Sequence, residues 1–173
     1  IGNSSGNGNS AYGAGALTSN SAGNSNSAAG TNSLFNNQSG NSNVAVGVAA
    51  LYNTGNRSNL AAVGDSALYN NGVGAVNPYE ATANSAFGSK ALYANTTGYY
   101  NTATGSNALK NNTTGIQNTA NGTGALFTNT TGGANTATGL NALFQNSTGN
   151  NNTAVGNFTL PNNSSGNNNT GTG

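Results

Sequence analysis

One glycine recurs at a fixed step along nearly the whole chain. It stands at Gly13, Gly30, Gly47, Gly64, Gly88, Gly105, Gly122, Gly139, Gly156 and Gly173. Every step is 17 residues except Gly64 to Gly88, which is 24 and therefore carries seven extra. A period held this strictly is the signature of stacked repeats, and it takes precedence over any local reading. Two positions before the glycine the chain places alanine in nearly every unit, including Ala45, Ala103, Ala120, Ala137 and Ala154. Four positions after it comes a leucine without exception: Leu17, Leu34, Leu51, Leu68, Leu92, Leu109, Leu126, Leu143 and Leu160. These columns are the expected core.

A 17-residue unit is too short for two helices and a turn. Its Asn, Thr, Ser and Gly are poor helix formers. The apolar positions suggest two short strands per unit, one at "NTATG" and one at "NALK". Gly and Asn between them supply the left-handed conformations of sharp turns. The expected fold is all-β: a β-solenoid (parallel β-roll or β-helix) of about ten 17-residue coils, with residues 1–173 forming one repeat domain. Each coil bonds only to its neighbours. At one strand spacing per coil the rod is roughly 48 Å long. A second glycine, ten positions after the first, recurs at Gly23, Gly40, Gly74, Gly98, Gly115, Gly132, Gly149 and Gly166, with Arg57 in its place once. Asn20, Asn37, Asn71, Asn95, Asn112, Asn129, Asn146 and Asn163 form a further column, broken by Thr54. Stacked amides of this kind bond along the axis as ladders.

Composition narrows the chemistry. Charged residues make up 3% of the chain and net charge is +1, which gives no basis for capture of nucleic acid or an anionic membrane. There is no His, Cys, Trp or Met, so imidazole ligands, thiolates and disulfides are excluded. Asp65 and Glu80 are the only carboxylates and lie in different units, so no acid–base pair is in view. No catalytic, cofactor-binding or metal site is expected, and no enzyme. No apolar run approaches the roughly 20 residues of a membrane span.

Five positions after the first glycine stand Phe35, Tyr52, Tyr69, Tyr93, Phe127 and Phe144. In an extended strand they face away from the leucine before them. They are expected as an exposed aromatic ridge, and such a ridge marks an assembly contact or a ligand stripe. The seven extra residues fall around "AVNPYEATA", 75–83. Pro78 cannot donate to a ladder. This segment is expected as a loop outside the stack, with Pro78, Tyr79 and Glu80 as candidate contacts. Deleting seven residues there is expected to restore the 17-residue register. Asn95, Asn112, Asn129 and Asn146 each begin an N-x-S/T triplet and are candidate glycosylation sites.

The segments "NTATGSNALKNNTTG", "NTATGLNALFQNSTG" and "NNNTAVG" resemble the NTAVG..AL..NTTG repeats of tail-fibre-like and adhesin-like fibre proteins of phages, giant viruses and bacteria. "NVAVG" at 43–47 is more loosely similar to the repeats of trimeric autotransporter adhesin heads. The resemblance implies a trimeric or otherwise self-associated solenoid acting as an extracellular fibre or attachment surface. Its partners would be further copies of itself, as oligomer or filament, and a cell-surface or glycan receptor. Two alternatives stand beside it. One is a matrix or sheath filament with no receptor. The other is ice binding, since Thr102-Ala103-Thr104, Thr136-Ala137-Thr138 and Thr170-Gly171-Thr172 resemble the TxT triplets of β-solenoid antifreeze proteins.

Overall fold

The computed structural model describes residues 4–173. It is all-β and contains ten strands of three residues each: β1 (Ser10–Tyr12), β2 (Ser27–Ala29), β3 (Val44–Val46), β4 (Ala61–Val63), β5 (Ser85–Phe87), β6 (Thr102–Thr104), β7 (Thr119–Asn121), β8 (Thr136–Thr138), β9 (Thr153–Val155) and β10 (Thr170–Thr172). They form one parallel sheet in sequential order. The register never slips. Ala45 pairs with Ala62, Ala62 with Ala86 across the insertion, and Ala86 with Ala103. The chain is a β-solenoid of ten coils, as the period predicts.

The middle residue of β2 to β9 points inward. Ala45, Ala62, Ala86, Ala103, Ala120, Ala137 and Ala154 are fully buried. Leu17, Leu34, Leu51, Leu68, Leu92, Leu109, Leu126 and Leu143 are buried against them, and Leu160 is partly buried beside the last coil. One leucine and a few small residues per coil make a narrow core that is continuous along the axis.

Among the described residues the expected second strand of each coil is absent. The leucines lie in turns, and all nine have φ between 48° and 52°. For a branched side chain that conformation costs about 1–2 kcal/mol. Stacking enforces it. The N–H of Asn107 donates to Ser89 O in the coil before, at 2.9 Å, and the N–H of Leu109 donates to Ala125 O in the coil after, also at 2.9 Å. Left-handed residues at both positions let the turn bond to both neighbours, so it is laddered like a strand without being extended. Alternating periodicity carries no sign of this, because the inward leucine pattern is the same either way.

Two columns of amides complete the coil, one of them directly before the strands. In the column seen in the sequence, Asn112 Nδ2 donates to Asn95 Oδ1 at 2.9 Å, and Asn129 Nδ2 to Asn112 Oδ1 at 2.8 Å. A second column runs four residues before the first glycine. There Asn118 Oδ1 accepts the Asn135 N–H at 3.0 Å, and Asn118 Nδ2 donates to Gly132 O at 2.8 Å. Both columns are buried. Among the described residues, no buried side-chain nitrogen or oxygen lacks a hydrogen-bond partner. Burial of so many amides is affordable only because every one is paired.

Candidate functional site

The repeat is most disturbed at one place, where the insertion, Arg57 and Thr54 coincide. The extra residues lie between Gly72 and Ala81. Gly72 N–H still bonds Thr96 O at 2.9 Å, and Ala81 N–H bonds Thr97 O at 3.1 Å. Asn71 Nδ2 donates to Ala81 O at 2.7 Å, the bond that other coils make to the second glycine. Ala81 therefore occupies that column, and Gly74 does not: it lies within the insertion. The segment outside the stack is residues 73–80. Thr82 and Ala83, expected in the loop, belong to the coil, and Ala81 is fully buried.

Arg57 explains how the loop is held. It stands in the coil below, where other coils have the second glycine, and is buried. Its Nη1 donates to Asn77 O at 2.6 Å and its Nη2 to Ala75 O at 2.7 Å. Three residues before it the asparagine column is broken by Thr54, whose Oγ1 donates to Asn37 Oδ1 at 3.3 Å.

Glu80 closes the loop from the other side. Its Oε2 accepts the N–H of Val76 at 2.7 Å and of Asn77 at 3.0 Å, while Oε1 accepts from Asn77 Nδ2 at 2.8 Å. The Asn77 side-chain bond, then the two backbone bonds, hold its carboxyl below the ordinary glutamate value. The two charged groups of the loop region are thus spent on its backbone. Pro78 and Tyr79 are exposed. Thr82 Oγ1 donates to Tyr79 O at 2.6 Å. Tyr79 packs edge-on against Tyr99 at 5.6 Å between centroids, and Tyr99 edge-on against Tyr100 at 5.2 Å. On the loop's other flank a cleft of about 200 Å³ is lined by Asn36, Gln38, Asn53, Gly55, Gly72 and Val73.

This coupling changes the expected result of the deletion. Removing Gly74–Glu80 leaves Asn71-Gly72-Val73-Ala81, the regular spacing, but strips Arg57 of both acceptors. Hydrogen bonds to a charged group contribute about 1.5–3 kcal/mol each. The deletion alone is expected to lower the melting temperature. Adding Arg57→Gly with Thr54→Asn is expected to recover it. A deletion protein as stable as the parent would show that Arg57 and the loop are independent.

The aromatic column is not an exposed ridge. Its six rings are half-buried and stack on one another inside the chain. Phe35 and Tyr52 lie 5.1 Å apart and 1° from parallel, Tyr52 and Tyr69 4.9 Å apart, and Phe127 and Phe144 5.1 Å apart. Lys110 bridges the gap in the column, with Nζ 5.3 Å from the Phe127 ring centre. Large exposed apolar groups lie elsewhere, some in loops and turns, such as Val76, Tyr79, Tyr100 and Phe158, and some on the outer face of the sheet. Tyr12, Val44, Val46 and Phe87 project from the β1–β5 half. A cavity of about 220 Å³ lined by Tyr12, Ala29, Val46 and their neighbours opens on this half. The β6–β10 half is mostly threonine, with Thr102, Thr104, Thr119, Thr136, Thr138, Thr153, Thr170 and Thr172 beside Asn121 and the exposed Val155. In both halves the outward residues stand in register from strand to strand.

The candidate glycosylation sites are overturned. Asn95, Asn112, Asn129 and Asn146 are fully buried, and the Nδ2 that would carry a glycan donates to the asparagine of the preceding coil in each case. In the folded coil that nitrogen is inaccessible.

Comparison with protein families, with curated proteins and with solved structures finds no match.

Proposed function

We propose that this chain is a segment of an extracellular structural fibre or adhesin, at a cell or virion surface, that presents an attachment surface along a self-associating rod. One observation carries the reading: ten strands pair one to one without a slip, with side-chain ladders running parallel to them. Such a rod offers a ligand length and a repeated face. A scaffold of this kind accepts a single buttressed loop without losing register, which suits display. The partners in this reading are further copies of the chain, as trimer, other oligomer or filament, and a surface receptor.

Sedimentation of the protein beside electron micrographs tests it. An assembled, elongated particle is expected. Replacing Tyr52, Tyr69, Tyr93, Phe127 and Phe144 by Ser is expected to loosen the coil rather than the assembly, because the rings stack within the chain. It is also expected to lower the melting temperature, since each stacked pair contributes about 0.5–1.5 kcal/mol. An unchanged particle mass would exclude the ring column as the subunit contact. A parent protein that is a compact monomer and attaches to no surface would refute the reading. Assembly into filaments without attachment would favour the matrix or sheath alternative.

A second reading has its own observation. The Thr-rich half of the outer face presents hydroxyls at strand spacing over five successive coils, Thr102, Thr119, Thr136, Thr153 and Thr170. A regular hydroxyl lattice suits ordered water, as on ice. Thermal hysteresis of the freezing point, abolished by Thr136→Tyr, is the expected result of that reading. No hysteresis in the parent protein removes it.

A further inference from the structure

We propose that the inserted loop and the coil after it form a binding platform for a neutral carbohydrate chain, with Tyr79 and Tyr100 as contact rings and Tyr99 holding them apart. The inference rests on the attachment reading and names the ligand class of its loop.

The first support is where the tyrosines stand. Position 99 belongs to a column that elsewhere forms an asparagine ladder on the surface: Asn24 N–H donates to Asn41 Oδ1 at 2.8 Å, and Asn150 N–H to Asn167 Oδ1 at 2.7 Å. Through the middle of the rod the column reads Ser58, Thr82, Tyr99, Ile116 and Gly133, and Tyr99 is its one aromatic residue. Position 100 belongs to a left-handed column otherwise filled by residues such as Ser42, Asn59, Ala83, Gln117 and Asn151. Tyr100 adopts φ 58° there. The conformation belongs to the column, as it does at the nine leucines, and Tyr100 is the one aromatic residue placed in it. The only large insertion, the buried Arg57 and both tyrosine departures therefore converge on one surface.

The second support is rigidity. Arg57 pins Ala75 O and Asn77 O, Glu80 pins the N–H groups of Val76 and Asn77, and Thr82 pins Tyr79 O. A ring held in place before the ligand arrives loses little freedom on binding. Nothing in the coil requires these fixings, since nine other coils stack without a loop.

Charge and size select the occupant. Arg57 and Glu80 are both committed to loop backbone, so no free charge remains to favour an ionic ligand. Tyr79 and Tyr100 are 56% and 57% exposed. A tyrosine covers on the order of 150–250 Å² when fully buried, so two half-exposed rings offer roughly 200 Å². A stable protein contact needs about 800 Å² per partner. The platform is too small for a second copy of the chain and the right size for a few sugar rings. A sugar presents C–H faces to an aromatic ring and hydroxyls to the tyrosine O–H and nearby amides, which matches what is displayed here.

The test is a titration with uncharged oligosaccharides of glucose, mannose and N-acetylglucosamine, with a sulfated oligosaccharide beside them, followed by the tyrosine ring signals in NMR. At least one neutral oligomer is expected to shift the Tyr79 and Tyr100 rings saturably at millimolar concentration. Tyr100→Ala is expected to weaken that binding by about tenfold or more, while circular dichroism stays at the parent spectrum and the melting temperature falls no further than loss of the one Tyr99–Tyr100 contact explains. Tyr79→Phe keeps the packing and is expected to keep most of the affinity, which guards against a loop that merely loosens. Rings that no neutral oligomer shifts, binding unaffected by Tyr100→Ala, or response to the sulfated sugar alone would each overturn the proposal. Attachment to surfaces with silent rings would refute the platform and leave the fibre reading standing. Sugar-shifted rings on a compact monomer that attaches to nothing would do the reverse.

Discussion

Leu109→Asp is expected to abolish cooperative folding of the central coils. Leu109 is fully buried between Leu92 and Leu126 of the adjoining coils, and its N–H is bonded to Ala125 O. The backbone itself does not object: φ is 49°, and aspartate tolerates left-handed geometry better than leucine does. The whole penalty therefore comes from the side chain. Deleting a buried leucine side chain down to alanine costs about 2–5 kcal/mol. The aspartate adds an unpaired charge inside a column of leucines and alanines, where a buried charge costs far more than a neutral polar group. Against a stability of about 5–15 kcal/mol for an ordinary domain, that sum is decisive. Coils bond only to their neighbours, so the damage spreads from coil 109 along the rod rather than staying local. Thermal unfolding followed by far-ultraviolet circular dichroism checks it. A variant with the parent's melting curve would remove the leucine column from the core. Lys110→Ala, one residue on, forfeits only a partly exposed cation–π contact worth about 0.5–1 kcal/mol.

The period, the inward leucine and alanine columns and one asparagine ladder were legible because each rests on identity at a fixed step. What was not legible rests on conformation or on pairs of departures. Leucine at φ near 50° reads in a sequence like leucine in a strand, so the second strand was expected and the laddered turn was not. The second buried asparagine column, through Asn118 and Asn135, is as regular as the first. Asparagine is so abundant in this chain that one more column of it does not stand out in the sequence. Its single exception, Leu60, falls in the same coil as Thr54 and Arg57, and three exceptions in one coil were the available signal that this coil supports something unusual. Gly74 misled for the opposite reason. It stands at the right distance from Gly64, yet the insertion precedes the point where spacing resumes, and only the Asn71–Ala81 bond shows which residue completes the coil. The glycosylation triplets failed because the ladder and the modification signal ask for the same residue, and the ladder buries it.

Gly105→Ala is expected to destabilise the rod almost as severely as a buried charge, although it adds one methyl group. Gly105 has φ 131°, outside the range that residues with a Cβ adopt readily. A Cβ built there would lie 2.6 Å from both the carbonyl carbon and the oxygen of Gly122 in the next coil. Those are backbone atoms, so no rotamer change relieves the contact. The neighbours are equally constrained. Gly88 sits against Gly105, and Gly122 against Gly139, at 2.4–2.6 Å for the same hypothetical atom. To admit one methyl group the coils must separate, and separation breaks the adjacent bonds from Gly105 N–H to Phe87 O at 2.7 Å and from Gly122 N–H to Thr104 O at 2.7 Å. Each such bond contributes about 0.5–1.5 kcal/mol net, and the strained backbone about 1–3 kcal/mol more. Gly74→Ala supplies the comparison. Its φ of 75° is also unfavourable for alanine, but nothing lies within 4 Å of the added atom. It is expected to cost only the conformational part, about 1–2 kcal/mol. The difference in melting temperature between the two variants isolates the contact between coils. Equal losses would mean that the glycine column is kept for its backbone angle alone, and that the coils have room to spare where they are drawn closest.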